Sequence, residues 1–131
     1  FGLPEVKRGL MANGGGASRL MRVLPRNVAL ELIATGEPFG AEFAAGYGMV
    51  NRIAPAAQLL EAALGLARSI VGNAPLSVAE SLRIARQAGD RSDADLRRLS
   101  KDRMKVIMAS EDAKEGPRAF AEKRPPVWTG R

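Results

Sequence analysis

Apolar side chains recur at helical intervals through the second half of the chain. From Pro55 onward, Leu59, Leu60, Ala63, Leu64, Ala67, Ile70 and Val71 fall at i, i+3, i+4 and i+7, which predicts one apolar face on a helix running to about residue 71. Gly72-Asn73 is expected to cap it in the left-handed conformation, with Ala74-Pro75 opening the next segment. A helix over 77–88 follows, with Val78, Leu82 and Ala85 inward, and Gly89-Asp90 turns the chain. A third long helix, 92–109, keeps Leu96, Leu99, Val106 and Ile107 on one stripe. Its other face sets Arg97, Arg98, Lys101, Arg103 and Lys105 against Asp93, Asp95 and Asp102, the pattern of a solvated helix face. Ser110 caps a final helix from residue 111, acidic in its first turn where the macrodipole favours it, and Pro117 costs that helix one hydrogen bond.

Ahead of Pro55 the elements are short and firmly punctuated. A short helix over 17–24 gives way at Pro25 to a second one, 26–34, which Thr35-Gly36 closes. Gly40 introduces a third, 41–47, ended by Gly48, and the apolar run 49–53 suits an extended connection. At the start, Pro4 pushes Leu3 towards extended geometry, so FGLPE reads as the end of a strand that places Glu5 at its exit. The turn that follows, Met11 to Ser18, is rich in glycine and feeds a helix whose free N–H groups can hold an anion or a water. A carboxylate beside such a turn is a candidate proton-transfer group. Neither nucleotide motif fits here: no lysine follows Gly16 as a P-loop requires, and G-x-G-x-x-G beginning at Gly14 meets Arg19.

Composition narrows the chemistry. The 131 residues suit one modest core, and with aromatics at 5% that core must be aliphatic and alanine-rich, which favours helices. Cys and His are both absent, which removes thiol nucleophiles, disulfides, the usual zinc sites and Ser-His-Asp arrangements and predicts no metal. Proton transfer falls to a carboxylate, a lysine or the single Tyr47. No apolar run reaches the length of a membrane span and no signal-peptide pattern is present, so no membrane partner is expected. The net charge of +6 suits a polyanion, but no nucleic-acid module or set of stacking aromatics accompanies it. The tail pairs Phe120 and Trp128 with Lys123-Arg124, and Pro125-Pro126 stiffens it into an extended strip able to fold over a neighbouring surface. With no opening Met and no partner strands after FGLPE, the chain reads like a piece of something larger.

Five stretches in order, FGLPEVKRGL, GGGASRL, ALELIATGEPFGAEFAAGYGMVNRI, NAPLSVAESLRIA and SEDAKEGPRAFAEKRPPVW, resemble the C-terminal half of the enoyl-CoA hydratase/isomerase, or crotonase, superfamily. The resemblance implies an α/β fold, a spiral of ββα units ending in a helical region that forms trimers or hexamers. This chain would be its mainly α part: a strand end, a glycine turn and about six helices. Residues 1–54 would belong to the catalytic core and residues 55–131 to the trimerisation and CoA-contacting region. The implied activity is addition of water across the α,β double bond of an enoyl-CoA thioester, a lyase reaction of cytoplasmic fatty acid β-oxidation that needs no cofactor beyond the CoA on its substrate. By motif, Glu5 matches the glutamate that hands a proton to the α-carbon. Asn13 and Gly14 match the turn that positions the water, although Asn13 stands where many members carry a small residue. Phe120 and Lys123 match the elements that approach the adenine and phosphate end of CoA. A second glutamate and both oxyanion-hole amides belong to the half that is missing, so this polypeptide alone is expected to be inactive. Glutamate after proline at position 5 favours a hydratase over an isomerase or thioester hydrolase; a helical assembly module without chemistry is the alternative of another class.

Overall fold

A computed structural model describes residues 1–131 as seven α-helices and two 3-10 turns with no strand. The chain divides into two compact units, Phe1–Leu60 and Glu61–Arg131. No helix is long and apolar enough to cross a membrane.

The first unit opens with the 3-10 turn Pro4–Arg8, followed by α1 (Gly16–Val23), α2 (Arg26–Thr35) and α3 (Ala41–Gly46). Its core is aliphatic: Leu20 and Leu24 from α1 and its end meet Val28, Ala29 and Leu32 of α2, with Leu3, Met21, Ile33, Phe39 and Met49 packed around them. The strand end expected at FGLPE is absent. Pro4 occupies the first turn of a 3-10 helix, where its fixed φ is already suitable and its missing N–H costs nothing. One strand-like pair survives ahead of it: the Phe1 amino group donates to the Phe39 carbonyl at 2.8 Å, and the Phe39 N–H returns a bond to the Phe1 carbonyl at 2.9 Å. Gly36 closes α2 at φ 65°, and a Cβ there would sit 2.9 Å from Val6 Cγ2 and 3.3 Å from the Leu3 carbonyl. Glycine is needed both for the turn and for the close approach of the opening segment. The run 49–53 forms no regular element.

The second unit holds most of α4 (Leu59–Val71), then α5 (Pro75–Ala85), α6 (Asp93–Met108) and α7 (Asp112–Ala121). α6 packs against both α5 and α7. Ser92 accepts from the Asp95 N–H at 3.2 Å and Ser110 from the Ala113 N–H at 3.1 Å, so both expected serine caps form. Asp95–Arg98 and Asp102–Lys105 pair along the exposed side of α6, as a solvated face should. Three expectations fail here. Neither Gly72 nor Asn73 has a positive φ; Asn73 instead turns its amide back to donate to the carbonyls of Ser69 and Ile70, satisfying the helix end from the side chain. Leu82, expected inward, is 45% exposed, and Ala85 and Val106 are exposed too. The apolar stripe of α4 lies bare: Leu59, Leu60, Leu64, Ile70 and Val71 are all exposed and the helix buries no residue. What this unit does bury is mostly polar, namely Glu80, Ser110, Asp112 and Glu115, together with Ala119.

Candidate functional site

Glu5 stands in the Pro4–Arg8 turn, one residue after the proline that starts it. Its backbone is held twice, since the N–H groups of Gly9 and Leu10 both reach its carbonyl. Gly9 makes this possible by adopting φ 70°. A Lys7–Glu37 bond of 2.6 Å ties the turn to the segment after α2. The side chain is half-buried and its Oε2 is buried with no hydrogen-bond partner. Buried carboxylate oxygens are normally satisfied, so an orphan one asks for a group from outside the chain.

The glycine turn forms as the sequence predicts. Gly15 at φ 88° leads into α1, its N–H bonds back to the Asn13 carbonyl, and no side chain caps the helix. Asn13 and Gly14 are exposed, and open space surrounds the position where a Cβ on Gly14 would lie. The far end of the turn is crowded instead: a Cβ on Gly16 would sit 2.7 Å from Leu3 Cδ2. Leu3 therefore packs onto the start of α1. No hydrogen bond joins Glu5 to Asn13 or Gly14; both belong to the first unit, and each leaves polar atoms available.

Beside them lies a cavity of about 390 Å³, lined by Phe1, Leu3, Gly16, Leu20, Phe39 and Met49 among others. Its wall continues into a run of rings, Phe1 to Phe39 at 5.6 Å, Phe39 to Phe43 at 5.5 Å and Phe43 to Tyr47 at 4.8 Å. The four rings bring together most of the chain's few aromatics.

Phe120 and Lys123 lie in the second unit, at the end of α7. Phe120 is 88% exposed. Lys123 has φ 52°, the sole positive φ outside glycine. Its N–H bonds the Phe120 carbonyl at 3.2 Å and the Arg124 N–H bonds the Ala119 carbonyl at 3.1 Å. That pair of bonds is a Schellman motif, with lysine where glycine is usual.

Sequence reasoning missed what holds this tail. Glu115, buried in α7, accepts from Arg124 through both terminal nitrogens, from Arg118 at 2.5 Å and from the Val127 N–H at 2.9 Å. Asp112 accepts from the N–H groups of Thr129 and Gly130 at 2.7 and 3.0 Å. These bonds hold the Glu115 carboxyl far below its ordinary value, Arg124 first, and that of Asp112 below its own, the Thr129 N–H first. Trp128 donates from Nε1 to the Gly72 carbonyl at 2.9 Å and lays its ring edge over Gly116, so the tail folds over its own unit as a strap. The available signal was the pair Asp112 and Glu115, one helical turn apart on the face turned to the tail.

A family model described as enoyl-CoA hydratase/isomerase matches residues 1–131. The carnitinyl-CoA dehydratase of Shigella flexneri is 40% identical over 135 residues, covering 100% of this chain and 52% of that protein. Among solved structures, enoyl-CoA hydratase EchA1 from Mycobacterium marinum superposes with a TM-score of 0.95 at 46% identity, covering 100% of this chain and 54% of that one. An enoyl-CoA hydratase from Mycobacterium tuberculosis H37Rv gives 0.89 at 43% identity, with 100% and 52% covered. The chain thus spans about half the length of the curated relatives it matches.

Proposed function

The chain belongs to the enoyl-CoA hydratase/isomerase family, and from that premise we propose that it carries one catalytic carboxylate and the CoA-end contacts of an enoyl-CoA hydratase-like lyase. In the proposed reaction the second glutamate, in the half that these residues do not span, takes one proton from water as the water oxygen bonds to the β-carbon of the enoyl thioester, and the π electrons move onto the thioester as an enolate. Glu5, entering the step in its acid form, delivers its proton to the α-carbon, and the proton taken from water returns to Glu5 before the next turnover. Asn13 and Gly14 position the water from the open turn, and Phe120 and Lys123 meet the adenine and phosphate end. No cofactor is required beyond the CoA of the substrate. Dehydration, the reverse direction, is what the name of the Shigella relative describes.

The observation that carries this reading is the Glu5 Oε2, buried with no partner within the chain. Glu80 Oε2 also lacks a hydrogen bond but lies 3.2 Å from the Arg83 guanidinium, whereas Glu5 stands beside the glycine turn, where a carboxyl oxygen can exchange a proton with substrate. The half of the relatives that these residues do not span would supply the second glutamate and the oxyanion hole. Loss of a single oxyanion donor typically costs ~10²–10³ in rate, so activity requires that half. The bare stripe of α4 supports assembly into a trimer or hexamer; it equally favours the second reading, a helical assembly module without chemistry. A cytoplasmic setting and a place in fatty acid β-oxidation belong to the same proposal.

Product analysis decides among these. The chain is mixed with a polypeptide supplying the missing half of a relative and given crotonyl-CoA. Hydroxybutyryl-CoA supports the hydratase, a migrated double bond an isomerase and free CoA a thioester hydrolase. Assembly with no product at all supports the non-catalytic module.

A further inference from the structure

Left-handed lysine is a strained choice at a helix end where glycine would fit freely, and such strain persists only where the surroundings over-determine it. At Lys123 they do. Upstream, the residue is anchored by its own bond to Phe120 and by the Glu122 N–H on the Arg118 carbonyl at 2.9 Å. Downstream, Arg124 is locked to Glu115 by bonds of 2.6 and 3.0 Å, while its Nε reaches Glu122 Oε2 at 2.6 Å. Glu115 is in turn buried and holds the Val127 N–H, so the chain cannot swing away after Arg124. The result is a fixed backbone across the helix end, carrying the exposed Phe120 and Lys123 side chains three residues apart.

We propose that Glu115 and Arg124 are positioning residues for the nucleotide end of the acyl-CoA: their clamp holds Lys123 left-handed beside Phe120, presenting a cation for a phosphate and a ring face for the adenine. This rests on the function proposed above. Preorganisation of the backbone is the benefit, because a helix end already held in the left-handed turn loses no further backbone entropy when the lysine meets the phosphate. Arginine suits the clamp because its planar fork matches the carboxylate through two bonds, which lysine cannot reproduce.

The test is titration calorimetry of the 131-residue chain with adenosine 3′,5′-bisphosphate, alongside thermal melting of each variant. Arg124→Lys and Glu115→Gln should weaken binding about tenfold at temperatures where the variants remain folded, without touching a nucleotide-contacting side chain. Lys123→Gly removes the left-handed strain, so its melting temperature should rise by a few degrees while binding falls by a similar factor. Should the two clamp variants fail to fold, Glu122→Gln, which loosens Arg124 at Nε alone, takes their place: weaker binding supports the inference and unaltered binding overturns it. A higher melting temperature with unchanged binding overturns the inference, as does a lower one, which would deny the strain. Unaltered binding in folded clamp variants overturns the inference and leaves the proposed function standing. Absence of binding by the unaltered chain overturns the CoA-end assignment and the inference with it.

Discussion

Arg124 lies along Glu115 with both terminal nitrogens engaged, Nη1 to Oε1 at 2.6 Å and Nη2 to Oε2 at 3.0 Å. The two residues close the loop between α7 and the tail, and Asp112 repeats the arrangement further along through Thr129 and Gly130. The second unit is therefore stapled by carboxylates where the first is held by an aliphatic core.

Such a staple makes stability depend on acid. The folded Glu115 and Asp112 carboxyls titrate below their ordinary values of 4.5 and 3.8, so the unfolded chain binds protons first as pH falls. Their contribution is full above those values and is lost as pH drops through the folded ones. Trp128, the single tryptophan, reports the strap directly. Its fluorescence melting temperature should be flat near neutrality and fall below about pH 4.5, and Glu115→Gln should flatten that fall.

Gly36→Ala should destabilise the chain by about 1–2 kcal/mol, because alanine would face both φ 65° and the Val6 methyl at 2.9 Å. Denaturant unfolding measures the loss.

Helix limits were legible wherever local chemistry decides them. Thr35-Gly36 closes α2, Ser92 and Ser110 cap α6 and α7, and the glycine turn leads into α1 as its composition predicts. Expectations failed where a side chain took over a helix end from the backbone or a covering surface was assumed. The Asn73 amide displaces the left-handed cap. Periodicity placed Leu59 through Val71 on one face correctly, yet it carries no information on what covers that face, and no residue of α4 is buried. Of the candidate site, the glycine turn could be read directly, because glycine announces itself; Pro4 reads as a strand exit, whereas it opens the 3-10 turn that carries Glu5. The Glu115–Arg124 pair could not, since a contact across nine residues and a helix end has no short-range signature.

The bare α4 stripe predicts that Leu60→Glu leaves the unfolding free energy of the isolated chain unchanged to within about 0.5 kcal/mol, since Leu60 is already 72% exposed. The same change should lower the oligomer mass in analytical ultracentrifugation, because a buried unpaired carboxylate opposes assembly.

Trp128→Phe deletes the bond to the Gly72 carbonyl and withdraws the outer ring edge from Gly116. Thermal unfolding should show a loss of about 1 kcal/mol, with the helix content in circular dichroism unchanged.

The most direct measurement is the rate of crotonyl-CoA hydration by Glu5→Gln, assembled with the half of a relative that this chain does not span. The amide preserves size and cannot deliver the proton, so kcat should fall by ~10²-fold or more with KM nearly unchanged. A variant that hydrates crotonyl-CoA as fast as the unaltered assembly would contradict the role given to Glu5.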